Sequence, residues 1–211
     1  MTELVSFFLV SLSAVFLIVD PIGCVPIFLA MTANDPPAKV RRMALRACVA
    51  GAGILIFFAL FGGVIFRIFG LTLGAFRVAG GLLLLMTARD MLNARPATTR
   101  TSPTETLEGA QKEDVAIVPM AIPLLAGPGA IATVMVLMSK GTSVIGGTTV
   151  VVCILITFVA SYFLLRGATL VQQVLRQSGV AILERVMGLI LAAIAVQFIA
   201  EGGRALLFPG A

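Results

Sequence analysis

A chain of 211 residues with 59% hydrophobic and 12% charged residues and a mean hydropathy of +1.10 is too apolar for a water-soluble domain, whose apolar share is roughly 45–50%. The net charge of +5 and pI near 9.7 do not single out nucleic acid, because basic residues of a membrane protein gather in cytoplasmic loops against anionic lipid. Histidine is absent, which removes the Ser-His triad, the histidine proton shuttle and the commonest metal ligand, so no enzyme, metal site or cofactor is expected.

Apolar runs of membrane-crossing length predict six spans: Leu4–Met31, Ala47–Phe66, Leu71–Ala88, Val115–Met138, Val144–Leu165 and Ile182–Leu207. The expected class is therefore all-α, a polytopic membrane protein rather than a barrel of short alternating strands. The first run begins beside Glu3 with no Lys or Arg and exceeds the apolar core of a signal peptide, so it reads as a retained span. Cys24, Cys48 and Cys153 lie in apolar runs without C-x-x-C spacing and read as small core residues. Lys39, Arg41, Arg42, Arg46, Arg89, Arg95, Arg100, Lys112, Arg166, Arg176 and Arg185 fall on one side of this arrangement. Under the positive-inside rule that side is cytoplasmic and both termini are outside. The charged segment around TSPTETLEG reads as a cytoplasmic linker, 93–114, between a first unit, 1–92, and a second, 115–211.

The two units resemble each other. DPIGCVPIFLAM (Asp20–Met31) aligns with GPGAIATVMVLM (Gly127–Met138), and FRVAGGLL (Phe76–Leu83) with ERVMGLIL (Glu184–Leu191). Three spans per copy is an odd number, so the second copy enters the membrane from the opposite side. The expectation is two inverted three-helix repeats, an architecture typical of secondary transporters.

Pro21 and Pro128 each remove a backbone donor and clash with the carbonyl four residues back, which predicts breaks in the first and fourth spans. Behind each break a half-helix, Ile22–Met31 or Ala130–Met138, starts with unpaired N–H groups able to hold an anion where Gly23 or Gly129 allows close approach. Asp20, the carboxylate near mid-span, is read as the cap of its half-helix and, alternatively or besides, as a partner for a substrate ammonium or a coupling proton. Ser6, Ser13 and Asp20 recur at intervals of seven and suggest one polar face. The candidate substrate-binding set is Asp20, Pro21, Gly23, Gly127, Pro128, Gly129, Thr133, Arg77, Arg185 and Gln197. For Arg77 and Arg185 two readings stand: snorkelling to the interface, or reaching the cavity. Gly70-x-x-x-Gly74 matches a helix-dimer motif at a helix entrance, where packing is the plainer reading.

The blocks DPIGCVPIFLAMT, AFRVAGGLLLLMTARDML, AIPLLAGPGAIATV and RVMGLILAAIAVQFI together closely resemble the MarC family of inner-membrane proteins over almost the whole chain. The resemblance implies six spans in the cell inner membrane, and, through kinship with neutral amino acid transporters and LysE-type exporters, small neutral amino acids such as alanine or glycine as substrates. Cys24 departs from the family's D-P-x-G-N pattern, where a polar residue is expected. The leading expectation is a secondary transporter with a midplane site between two broken helices, embedded in the bilayer, with a proton or sodium ion as coupling partner and no nucleic acid. A drug or metabolite exporter and a non-transporting membrane organiser or receptor remain as alternatives, and a homo-oligomer is left open.

Overall fold

The computed structural model describes residues 2–33, 35–93, 116–141 and 144–208. Of the 93–114 linker only Asn93 falls within them. The elements are α1 (Thr2–Val19), α2 (Cys24–Met31), α3 (Pro37–Phe69), α4 (Leu73–Leu92), the π-helical α5 (Ala116–Leu125), α6 (Pro128–Lys140), α7 (Val144–Arg166) and α8 (Ala168–Leu207). Every element among the described residues is helical, as the composition implies.

Among the described residues, four stretches are long and apolar enough to cross a membrane: Glu3–Met31, Pro37–Ile65, Val144–Arg166 and Ala181–Leu207. The six expected spans are reduced in this sense for two physical reasons. The expected third span lies on α4, which carries Arg77, Arg89 and Asp90. The expected fourth divides into α5 and the short apolar α6. Helix starts also differ from the sequence reading. α3 begins at Pro37 and α8 at Ala168, because helical propensity continues through Lys and Arg where hydropathy has already fallen.

The breaks arise locally. Asp20 N–H still bonds Phe16 O at 3.0 Å, but Asp20 itself turns to φ 50°, the left-handed region that Asp tolerates better than most residues. Proline at the next position disfavours the helical alternative. α2 then accommodates Pro26 because it sits in the first turn, where its missing N–H has no intrahelical partner in any case. In α5, Pro119 and Pro123 lie four residues apart and interrupt the i→i−4 ladder, and the chain leaves through a wider Ala126 N–H to Ala121 O bond of 2.9 Å. Gly127 is extended, and Pro128 opens α6 at N1.

α4 and α8 form the most extensive pair. They run antiparallel, with Gly74 on Gly202, Gly81 on the Ala195 carbonyl, and Gly188 on the Ala88 carbonyl. These glycines admit backbone-to-backbone contact, the usual way membrane helices attract one another where lipid is as apolar as leucine. Gly74 is thus used within the chain, while Gly70, at φ 62°, ends α3 and faces open space. α3 packs antiparallel on α7, with Gly51 against Phe158 and Arg41 against Tyr162, and α6 is wedged among α1, α3 and α4. The three cysteines are buried free thiols. The outer surface carries Val49, Phe57, Phe61, Leu82, Met86, Val159, Leu189 and Val196 exposed, the wrapping expected of a lipid-facing bundle.

Candidate functional site

At the first break the Asp20 carboxylate is buried, only 4% exposed, and its Oδ1 accepts the Gly23 N–H at 3.0 Å. Cys24 N–H follows to Asp20 O at 3.2 Å. Asp20 therefore caps the turn into α2, and a side chain at Gly23 would fall onto its carboxylate. Pro21 is buried and Gly23 half-buried beside it. The seven-residue pattern does not extend from here: Ser6 and Ser13 are exposed, whereas Ser11 is fully buried. The reason is that Asp20 has left the helical path, so register counted from α1 no longer applies to it.

The second break is built differently. Gly127 caps α6 without any side-chain hydrogen bond. Pro128 has no N–H to offer, and the N–H groups of Gly129 and Ala130 belong to the first turn, which has no carbonyl within its own helix to meet. Gly127, Gly129 and Ala130 are buried, and Pro128 is exposed. These four residues line a partly open cavity of about 30 Å³ with Ile18, Leu83, Thr87 and Leu124. That is room for a water or so, not for an amino acid. Ile18 Cδ1 would lie 3.3 Å from a Cβ on Gly129 and Leu84 Cδ2 3.1 Å from it. The second break thus docks on the last turn of α1, two residues ahead of Asp20. Thr133, buried below, donates its hydroxyl to Gly129 O at 2.9 Å.

Arg77 and Gln197 are brought together elsewhere. Glu201 Oε1 accepts Lys140 Nζ at 3.1 Å and Gln197 Nε2 at 3.0 Å. Its Oε2 lies 2.9 Å from Lys140 Nζ and 3.9 Å from Arg77. This cluster ties the C-terminal end of α6 to α4 and α8. Arg185 is exposed.

Two acids in this arrangement escaped the sequence reading. Glu201 is the hub just described. Glu184, half-buried on α8, lies within electrostatic reach of Asp20 across the α2–α8 contact. The signal that finds both is an acid inside a long apolar helix, a costly placement without a role or a partner. Among the described residues no group of three or more His, Cys, Asp and Glu is placed to hold a metal.

Residues 5–207 match the family described as MarC family integral membrane protein. The chain belongs to the MarC family. It is similar to a UPF0056 membrane protein of Methanocaldococcus jannaschii at 38% identity over 95% of this chain and 88% of the relative. A second UPF0056 membrane protein of that organism is 36% identical over 94% of this chain and 96% of its own. UPF0056 membrane protein YhcE of Escherichia coli is 33% identical over 92% and 90%. No solved structure matches the chain. As a MarC-family integral membrane protein, it has a bilayer for surroundings, so Asp20 and Glu184 are acids placed in or beside hydrocarbon.

Proposed function

We propose that this protein is a secondary transporter of small neutral amino acids, built from two inverted repeats of three spans each in the cell inner membrane with both termini outside. One observation carries the reading. Exchanging α1 with α5, α2 with α6, α3 with α7 and α4 with α8 turns most of the helix pairings into one another. α1–α7 becomes α3–α5, α3–α6 becomes α2–α7, α4–α6 becomes α2–α8, and α1–α6 becomes α2–α5. α3–α7 and α4–α8 map onto themselves, and both are antiparallel, as a two-fold axis in the membrane plane requires. The pairs that α2 makes are less extensive than the matching ones of α6, and among the described residues α6–α7, α1–α8 and α7–α8 have no counterpart of similar extent.

Under this exchange the two breaks correspond, and their chemistry is complementary to a zwitterion. The uncapped start of α6 favours a carboxylate through the Gly129 and Ala130 N–H groups and the helix dipole. Asp20 answers an ammonium. Gly23 N–H is already engaged by Asp20, so the anion-holding role falls on α6. A charged Asp20 is costly where it is buried in a medium of low dielectric, and a proton or a small cation taken up there relieves that cost, which supplies a coupling partner. The small cavity fits a closed state that opens as one repeat rocks against the other.

The test is flux. The full-length protein reconstituted in vesicles is expected to carry alanine or glycine faster with a proton or sodium gradient than without, and Asp20→Asn is expected to lose that stimulation. Background-level, gradient-insensitive flux across a broad amino acid panel would sink the proposal.

A further inference from the structure

A second polar site stands apart from both breaks, at the membrane face where α3 begins and α7 ends. Arg41 Nε donates to the Tyr162 hydroxyl at 3.3 Å. Arg166, one helical turn on from Tyr162, lies within electrostatic reach of the same phenol. Both arginines are exposed, and Tyr162 is half-buried. Among the described residues no carboxylate forms an ion pair with either guanidinium. Asp35, the acid nearest Arg41 along the chain, is taken by Lys39 at 2.8 Å.

Two cations thus converge on one neutral oxygen. Each guanidinium presents five N–H donors, so most of these face outward, and the like charges repel. A bound anion with several acceptor oxygens answers both facts, and a phosphate fits the planar guanidinium fork best. The surroundings say which phosphate. One and two turns deeper along α3 from Arg41 stand exposed Leu45 and Val49, and beside Tyr162 on α7 stand exposed Val159 and Phe163. Phe163 meets the Tyr162 ring edge-on at 5.4 Å. A cationic head above an apolar, lipid-facing wall is the outline of a phospholipid rather than of a soluble anion.

We propose that Arg41, Tyr162 and Arg166 bind the phosphodiester headgroup of an anionic glycerophospholipid, whose acyl chains lie along α3 and α7. The experiment uses the full-length protein in non-ionic detergent and reads bound lipid by native mass spectrometry. The probes are phosphatidylglycerol, phosphatidylcholine and inorganic phosphate. Wild type is expected to prefer phosphatidylglycerol, and the Arg41→Gln/Arg166→Gln double variant to weaken that binding by about 100-fold, through the loss of two charge-assisted hydrogen bonds to the phosphate. Arg42→Gln/Arg89→Gln, with the same change of charge on the same face, is expected to keep most of it. Equal binding of phosphatidylcholine, equal loss in the two double variants, or displacement of the lipid by millimolar inorganic phosphate would each overturn the assignment. So would a lipid-free thermal midpoint that falls with Arg41 and Arg166, since the arginines would then serve the protein's own packing.

Discussion

Replacing Gly81 by alanine tests whether the α4–α8 seam is held by backbone contact. A Cβ at Gly81 would stand 2.7 Å from Ile199 Cγ1, 2.8 Å from Ala195 O and 3.1 Å from Ile199 N. Two of these three are backbone atoms, which cannot rotate aside. Relief to ordinary contact requires the helices to part locally by about 0.6 Å, an overpacking that typically costs ~1–3 kcal/mol. Alanine also gains about 1 kcal/mol of helix propensity over glycine. Gly53→Ala isolates the clash from this gain, because Gly53 is helical too and a Cβ there meets nothing within 4 Å. The difference between the two variants is therefore the clash alone, about 1–3 kcal/mol or roughly 3–10 °C in Tm at this chain length. The protein has no tryptophan, so the melt is better followed by circular dichroism or by a thiol-reactive dye, to which the buried cysteines become accessible on unfolding. If Gly81→Ala melts with or above Gly53→Ala, the seam is looser than described and the reasoning fails.

Asp20→Asn keeps an acceptor for Gly23 N–H and a side chain that tolerates φ 50°, so it should fold within about 1 kcal/mol of wild type while losing the gradient-stimulated part of the flux. Asp20→Ala loses both and should melt lower, by about 2 kcal/mol; equal melting of the two variants would deny Asp20 its capping role. Glu201→Gln leaves Lys140 and Arg77 facing each other without an acid. Because these groups are partly exposed, the expected loss is only about 1 kcal/mol and should shrink in high salt, and a salt-independent loss would contradict it. Ser11 Oγ is buried with no hydrogen-bond partner among the described residues, so Ser11→Ala should be neutral or up to about 1 kcal/mol stabilising. A clear destabilisation in the same melt would mean that the hydroxyl has a partner.

What could be read from sequence were the features decided by residues adjacent in the chain. Pro21 after Asp20 and Pro128 after Gly127 act on their own peptide bonds, so both breaks and the start of α6 were legible within a residue or two. Burial of the cysteines followed from their apolar neighbours. Hydropathy does not register where a helix begins outside the bilayer, and this hid the first turns of α3 and α8. It also obscured Glu184, which borders the expected span but lies well inside the helix that starts at Ala168. Arg77 and Gln197 were legible as intramembrane polar groups, but their common partner Glu201 was not. A contact between Arg77 and Glu201 is a property of the α4–α8 seam, and nothing local to either helix specifies it.

The two breaks differ in a way that bears on which part of the molecule moves. At the first, Asp20 closes its own turn through Gly23 N–H, and Cys24 N–H bonds Asp20 O, so α1 and α2 are joined by short internal hydrogen bonds. At the second, the π-helical α5, with two prolines, ends in the Ala126 N–H to Ala121 O bond, and Gly127, which has no side chain to cap with, accepts the Ile131 N–H at its carbonyl. α6 is held by packing on α1, α3 and α4 along its buried length, with Ile18 and Leu84 at its start and Glu201 at Lys140. A segment packed on several sides along most of its length moves with the helices that hold it, whereas a π-helical turn changes its backbone path at smaller cost. On the transporter reading, α5 is the hinge that should give when the cavity between Ile18 and Gly129 opens, with α6 carried along by the helices it packs on and Asp20 as the fixed point.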